Sequence, residues 1–129
     1  MIKQTIKRLL PRPIMQTYEA ECRKETHINR ALSLYGQDTT YIEIGVRDGA
    51  CIHQINASHK AAVDPAPVDA AFIESDGTKM FQTTSDQFFE ADATAWINGR
   101  KVDVAFVDGL HEFEQALRDV LNLEPLMAE

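Results

Sequence analysis

Apolar positions along the chain recur in two alternating rhythms. Between residues 26 and 35, Ile28, Ala31, Leu32 and Tyr35 return at helical spacing, and Gly36 stands where a helix commonly stops. From 40 to 46 the rhythm shortens: Tyr41, Ile42, Ile44 and Val46 form a compact apolar run that ends at a glycine-bearing turn, as a strand buried in a parallel sheet does. Residues 51–59 are long enough for a short helix, and 60–64, with Ala61, Ala62 and Val63 ahead of Pro65, suit a second buried strand. Pro65 and Pro67 open a loop, 79–83 is a weak third strand, and Ser85 stands where it would cap a helix carrying Phe88 and Phe89. The valine-rich segment 102–107, bounded by Asn98-Gly99 and Asp108-Gly109, is the clearest strand. After it, Phe113, Ala116, Leu117, Val120 and Leu121 fall at the i, i+3, i+4, i+7, i+8 spacing of a helix with one apolar stripe, interrupted at Pro125. Strands alternating with helices predict right-handed crossovers and a mainly parallel sheet covered on both faces, the doubly wound α/β class, with four strands encoded here.

Composition narrows the picture. The chain has 129 residues, room for one domain, and its 44% hydrophobic content supports a core without disulfides. Cys22 and Cys51 lack metal-ligand spacing and are expected to be reduced thiols. Thirteen basic against twenty acidic side chains give a net charge of -7, which disfavours nucleic acid as a partner. The charge is uneven: residues 1–30 hold seven basic and three acidic side chains. There Lys3, Lys7, Arg8 and Arg12 alternate with Ile2, Ile6, Leu9 and Leu10, a pattern expected of a helix packing on its own domain, with an anionic membrane or partner as the alternative. No run has the length of a membrane span or the form of a secretory signal, so a cytoplasmic location is expected. Residues 1–39 are expected to form an N-terminal helical segment and 40–129 the main domain.

In open parallel sheets, ligands bind beyond the carboxyl ends of the strands where strand order reverses, so residues just after each strand are the ones to examine. The first such stretch is Glu43-Ile44-Gly45-Val46-Arg47-Asp48-Gly49, whose glycines let backbone approach a ligand. The second is Asp64, nineteen residues after Gly45, placed to accept two charge-assisted hydrogen bonds from vicinal ribose hydroxyls. A nucleoside ligand is implied. The G-x-G-x-x-G that brings amides to a pyrophosphate is replaced by G-x-x-x-G, so a dinucleotide is poorly served.

With Val63-Asp64-Pro65, Thr84-Ser85-Asp86, and Val107-Asp108-Gly109-Leu110-His111 followed by Arg118-Asp119, these residues resemble class I S-adenosylmethionine-dependent methyltransferases, and among them small-molecule O-methyltransferases carrying Asp-Gly-x-His after the fourth strand. The resemblance covers residue 40 to the end. It implies a Rossmann-like sheet in which Glu43, Gly45 and Gly49 surround the methionine part of the cofactor, Asp64 holds the ribose, Ser85 and Asp86 sit beside the adenine, and Asp108 lies at the mouth near methyl group and acceptor. Deprotonation of a hydroxyl acceptor has two alternative sources: His111 as base, or Mg²⁺ bound by Asp108. Simpler roles stand beside these: turn glycines at Gly45 and Gly49, a cap at Glu43, a solvated strand end at Asp64, an N-cap pair at Ser85-Asp86, a turn at Asp108, and a helix-start residue at His111.

The resemblance also implies a shortened domain. Members of the class have seven strands, and in them the segment corresponding to Leu123-Glu124-Pro125-Leu126-Met127 is followed by a fifth strand and further walls of the acceptor pocket; the acidic metal-binding segment after that strand is absent here. The fourth strand is then expected to be an open edge that pairs with a second copy of the chain or exchanges an element with it. Two activities are compatible with this: a methyltransferase acting on oxygen of a small molecule, and a noncatalytic binding or assembly module that keeps the fold. A zinc-protease reading of His111-Glu112 fails because Gln115 stands where a second histidine is needed, and Phe81, Phe88, Phe89 and Trp96 are expected in the core or pocket wall rather than under nucleic-acid bases.

Overall fold

The computed structural model describes residues 23–75 and 77–129. The basic N-terminal lead and Cys22 lie outside the described residues. The chain opens with α1 (Lys24–Leu32), continued by a 3₁₀ turn (Ser33–Tyr35) to Gly36. Four strands follow: β1 (Thr40–Ile44), β2 (His59–Val63), β3 (Thr78–Phe81) and β4 (Val104–Val107), all parallel, in the order β3-β2-β1-β4. The architecture is the α/β parallel sheet that the alternating pattern predicts.

Local boundaries differ from the pattern where side chains claim the backbone. The helix expected over 51–59 shrinks to one 3₁₀ turn (Ile52–Gln54), because the buried Lys60 ammonium takes the carbonyls of Ile52 and Ile55 at 3.2 and 3.3 Å. Asn29 on α1 takes the next backbone groups, donating to Gln54 O and accepting from Asn56 N. A short helix that periodicity does not show, α2 (Ala70–Ile73), is capped by Asp69, whose side chain accepts from Phe72 N. The cap of the next helix is Thr84 rather than Ser85: Thr84 and Gln87 bond each other's backbone in a capping box, and Ser85 becomes the first residue of α3 (Ser85–Gln87). A π turn (Phe88–Asp92) joins α3 to α4 (Ala93–Ile97). β4 starts two residues later than the valine run, since Val102 instead makes a lone parallel bridge to Met127.

Alternation along β1 divides the core. Tyr41 packs on one side with Ile28 and Leu32 of α1, Ile52, Ala62 and Ile73; Ile42 and Ile44 pack on the other with Val63, Phe88, Ile97 and Leu123. Every residue of β1 is buried. Cover on both faces fails beside β4. The last helix, α5 (Phe113–Leu123), turns Asp119 and Leu123 inward, whereas Phe113, Leu117, Val120 and Leu121 of the predicted apolar stripe are 80%, 45%, 53% and 57% exposed. The period is helical as expected, but the more apolar face points away from the described sheet. Among the described residues no helix is long and apolar enough to cross a membrane.

Candidate functional site at the carboxyl end of the sheet

The strand order places β2 on one side of β1 and β4 on the other, so the order of strands reverses between β1 and β4 and leaves a crevice at their carboxyl ends. A cavity of about 580 Å³ occupies this place. Its first wall is the loop after β1, entered through Gly45. That residue has φ +85°, and a Cβ there would overlap the Asp108 carbonyl, so glycine is demanded by the close approach of the ends of β1 and β4. Asp108 N donates to Ile44 O at 2.7 Å and Gly45 N to Val63 O at 2.8 Å, which ties three strand ends into one rim.

Asp64 organises the loop from the opposite side. Its carboxylate accepts from Arg47 N and from Ala66 N, each at 2.8 Å, and Val68 N bonds back to Arg47 O at 2.8 Å. These contacts hold Arg47 in a left-handed conformation, φ 54°, that a non-glycine residue rarely adopts. Asp64 still faces the cavity, and each oxygen keeps lone-pair capacity for a ligand hydroxyl. Ser85, buried, and Asp86, partly buried, line the far wall.

Two of the sequence-predicted residues stand behind the wall rather than on it. Gly49, φ +80°, is buried with its hydrogen toward Ile73 and His53. Glu43 is 1% exposed, and its carboxylate accepts from the Tyr41 hydroxyl at 2.8 Å. Burial lifts the Glu43 carboxyl above the usual range against the opposing pull of hydrogen bonds from Tyr41 and Cys51 and of the Lys24 charge. Burial and the Glu43 charge push the Cys51 thiol up to about 12, so it stays protonated at neutral pH.

Asp108, at the end of β4, meets a residue that strand-end reasoning missed. Lys24 of α1 places Nζ 3.1 Å from Asp108 Oδ2 and 5.0 Å from the Phe106 ring centroid, and its side chain lines the cavity. Burial lowers the Lys24 pKa, but the hydrogen bond and charge of Asp108, with Cys51 and Glu43 behind, outweigh it and raise the ammonium above its ordinary value. No sequence signal marks Lys24, because its partner is 84 residues away. His111 is exposed at the mouth, with Nε2 4.0 Å from Asp108 Oδ1. Gln115 and Asp119, one turn apart on the inward face of α5, were also missed, although polar residues at i and i+4 inside an apolar helix are a readable signal. Gln115 Nε2 donates to Ser85 Oγ, Asp86 Oδ1 and Asp119 Oδ1 at 3.1, 3.2 and 3.1 Å, and Arg118 holds Asp86 Oδ2 at 2.8 Å. This network locks α5 to the start of α3.

The donor set does not make a Mg²⁺ site. Among the described residues no group of three or more histidine, cysteine or carboxylate ligands converges, and the one carboxylate at the mouth already holds an ammonium. The set does suit an organic cation carrying a ribose: five aspartates, Asp48, Asp64, Asp86, Asp108 and Asp119, line the cavity against Lys24 and Arg47.

No curated protein and no solved structure matches the chain. One family's sequence model does, over residues 42–129, which runs from within β1 to Glu129 and includes β2, β3, β4 and all of the cavity wall except Lys24; its description is a methyltransferase domain. The chain belongs to this methyltransferase domain family.

Proposed function

We propose that the domain binds S-adenosylmethionine in the carboxyl-end cavity and transfers its methyl group to oxygen of a small molecule. The observation that carries this reading is Asp64, a carboxylate at the end of β2 that faces the cavity while fixing the loop after β1 through two backbone amides. Bound there, the cofactor would supply a methyl group on a sulfonium. Asp64 would accept the ribose hydroxyls, the backbone from Gly45 to Asp48 would address the amino-acid end, and Ser85 and Asp86 would stand beside the adenine. Glu43 acts from behind this wall, through Tyr41 and Cys51, by holding the strand end in shape. The aspartate-rich lining favours a cationic ligand over a pyrophosphate.

In the same reading, placement of the acceptor oxygen against the methyl group supplies most of the acceleration, and the mouth formed by Asp108 and His111 is where that oxygen enters. Because the α5 stripe beside β4 is open, we also propose that a second copy of the chain covers it. The openness of this flank favours one alternative, a noncatalytic binding module that keeps the fold.

Calorimetric titration tests the reading. S-adenosylmethionine and S-adenosylhomocysteine are expected to bind, and Asp64→Ala to weaken both by about tenfold or more while the chain stays folded by circular dichroism. Absence of heat with the wild-type chain at millimolar ligand would remove the proposal. Binding without methyl transfer to any of a panel of alcohols and phenols would leave the noncatalytic module.

A further inference from the structure

The pairing of Lys24 with Asp108 crosses the boundary of the family match: Asp108 lies within residues 42–129 and Lys24 outside them. We propose that Lys24 and Asp108 together form the acceptor subsite, and that it takes an uncharged hydroxyl compound; this rests on the methyltransferase reading above. The argument is one of hydrogen-bond capacity. The ammonium carries three hydrogens, one of which goes to Asp108 Oδ2 at 3.1 Å, while the Phe106 ring lies 5.0 Å away. It retains a donor for an acceptor oxygen. Among the described residues, the His111 imidazole is what stands near Asp108 Oδ1, at 4.0 Å and beyond hydrogen-bond distance, which leaves that oxygen acceptor capacity for a hydroxyl hydrogen.

A hydroxyl group matches this pair, since it donates one hydrogen and accepts another in the same small volume. A carboxylate or phosphate does not. It has no hydrogen for Asp108, and it would enter a cavity whose five lining aspartates outnumber the lining Lys24 and Arg47. The titratable groups facing Lys24 are Asp108 just after β4, Glu43 on β1 and the protonated Cys51 thiol after it, and the Asp108 carboxylate above all keeps the ammonium charged. Lys24 thus supplies, from α1, a fixed positive charge beside Asp108, and it orients the acceptor oxygen by direct contact.

4-Nitrophenol is the probe, because hydrogen bonding to and ionisation of its hydroxyl change its visible spectrum, and 4-nitrobenzoate is its charged counterpart. The wild-type chain, with and without S-adenosylhomocysteine, is expected to bind 4-nitrophenol with a red-shifted absorption and 4-nitrobenzoate at least about tenfold more weakly. Lys24→Met and Asp108→Asn should each remove the spectral shift and weaken 4-nitrophenol about tenfold, Lys24→Arg should restore much of it, and S-adenosylhomocysteine affinity should stay within about twofold in Lys24→Met. Equal binding of the two probes, no detectable 4-nitrophenol binding, or an unchanged spectrum in Lys24→Met overturns the subsite. Failure of S-adenosylhomocysteine to bind the wild-type chain, with the Lys24-dependent shift intact, would instead remove the methyltransferase reading and leave the hydroxyl site standing.

Discussion

β1 and β4 lie side by side in parallel register, Tyr41 opposite Val104 through Ile44 opposite Val107, and both are short apolar runs that end at a glycine turn. Their surroundings differ. β1 has a strand on each flank and helices over both faces, and all five of its residues are buried; β4 has a strand on one flank only, and all four of its residues are half-buried. The same kind of sequence therefore yields a finished core on one side of the crevice and an open flank on the other. The cavity wall built on the ends of β1 and β2 is fixed by local hydrogen bonds among strand ends and the Asp64 carboxylate, whereas Asp108 at the end of β4 depends on α1 for Lys24, and the wall at Ser85 and Asp86 depends on α5 for Gln115.

The largest test of this contrast is at the point where the two strands touch. Gly45→Ala puts a methyl group into the Asp108 carbonyl at a φ of +85°, and it is expected to cost more than about 3 kcal/mol in urea denaturation. A cost below about 1 kcal/mol would mean that the strand ends separate easily and that the cavity is not rigid.

Next comes the core against the flank. Ile42→Ala, at a fully buried position of β1, is expected to cost about 2–5 kcal/mol, whereas Leu117→Ala on the exposed stripe of α5 should stay within about 0.5 kcal/mol for the isolated chain. If a second copy covers the stripe, Leu117→Ala will also lower the sedimentation-derived mass at high concentration, and its cost will become concentration-dependent. Wild-type chain that is strictly monomeric by light scattering at high concentration would contradict the proposed pairing.

A smaller effect is expected from Glu43. Burial raises its carboxyl pKa above the ordinary value of 4.5, so the folded chain binds that proton more tightly than the unfolded chain does. Its contribution to stability is therefore fully present below pH about 4.5 and is lost as pH rises through the folded value, with a slope of at most about 1.4 kcal/mol per pH unit in that window. Glu43→Gln cannot titrate. It should flatten this limb of the stability profile while the wild-type profile descends, and identical profiles would show that the carboxyl is already ionised at no cost in the fold.

The smallest effect concerns His111. Its side chain is 85% exposed and its Nε2 is 4.0 Å from Asp108, so His111→Ala is expected to change stability by less than about 0.5 kcal/mol. It tests the imidazole as the base in the proposed reaction: a loss of methyl transfer of about a hundredfold or more would assign that role to it, and a change of a few-fold would place the role elsewhere.

The parts of this protein legible in its sequence were those decided by nearest neighbours along the chain. Alternation and length identified four strands, glycines marked the turns, and the residues just beyond β1, β2 and β4 pointed to the crevice, because in a parallel sheet each strand end lies at the same rim whatever its partner is. Where distant groups compete for the backbone, the pattern was insufficient: Lys60 and Asn29 cut the helix after β1 to one turn, and Thr84 with Gln87 moved a cap by one residue. Tertiary structure alone decided which face of α5 is inward, since periodicity gives the angle between residues and not the direction of the core. It alone joined Lys24 to Asp108 across 84 residues, because an ion pair needs two side chains in one place and the chain's order says nothing of that distance.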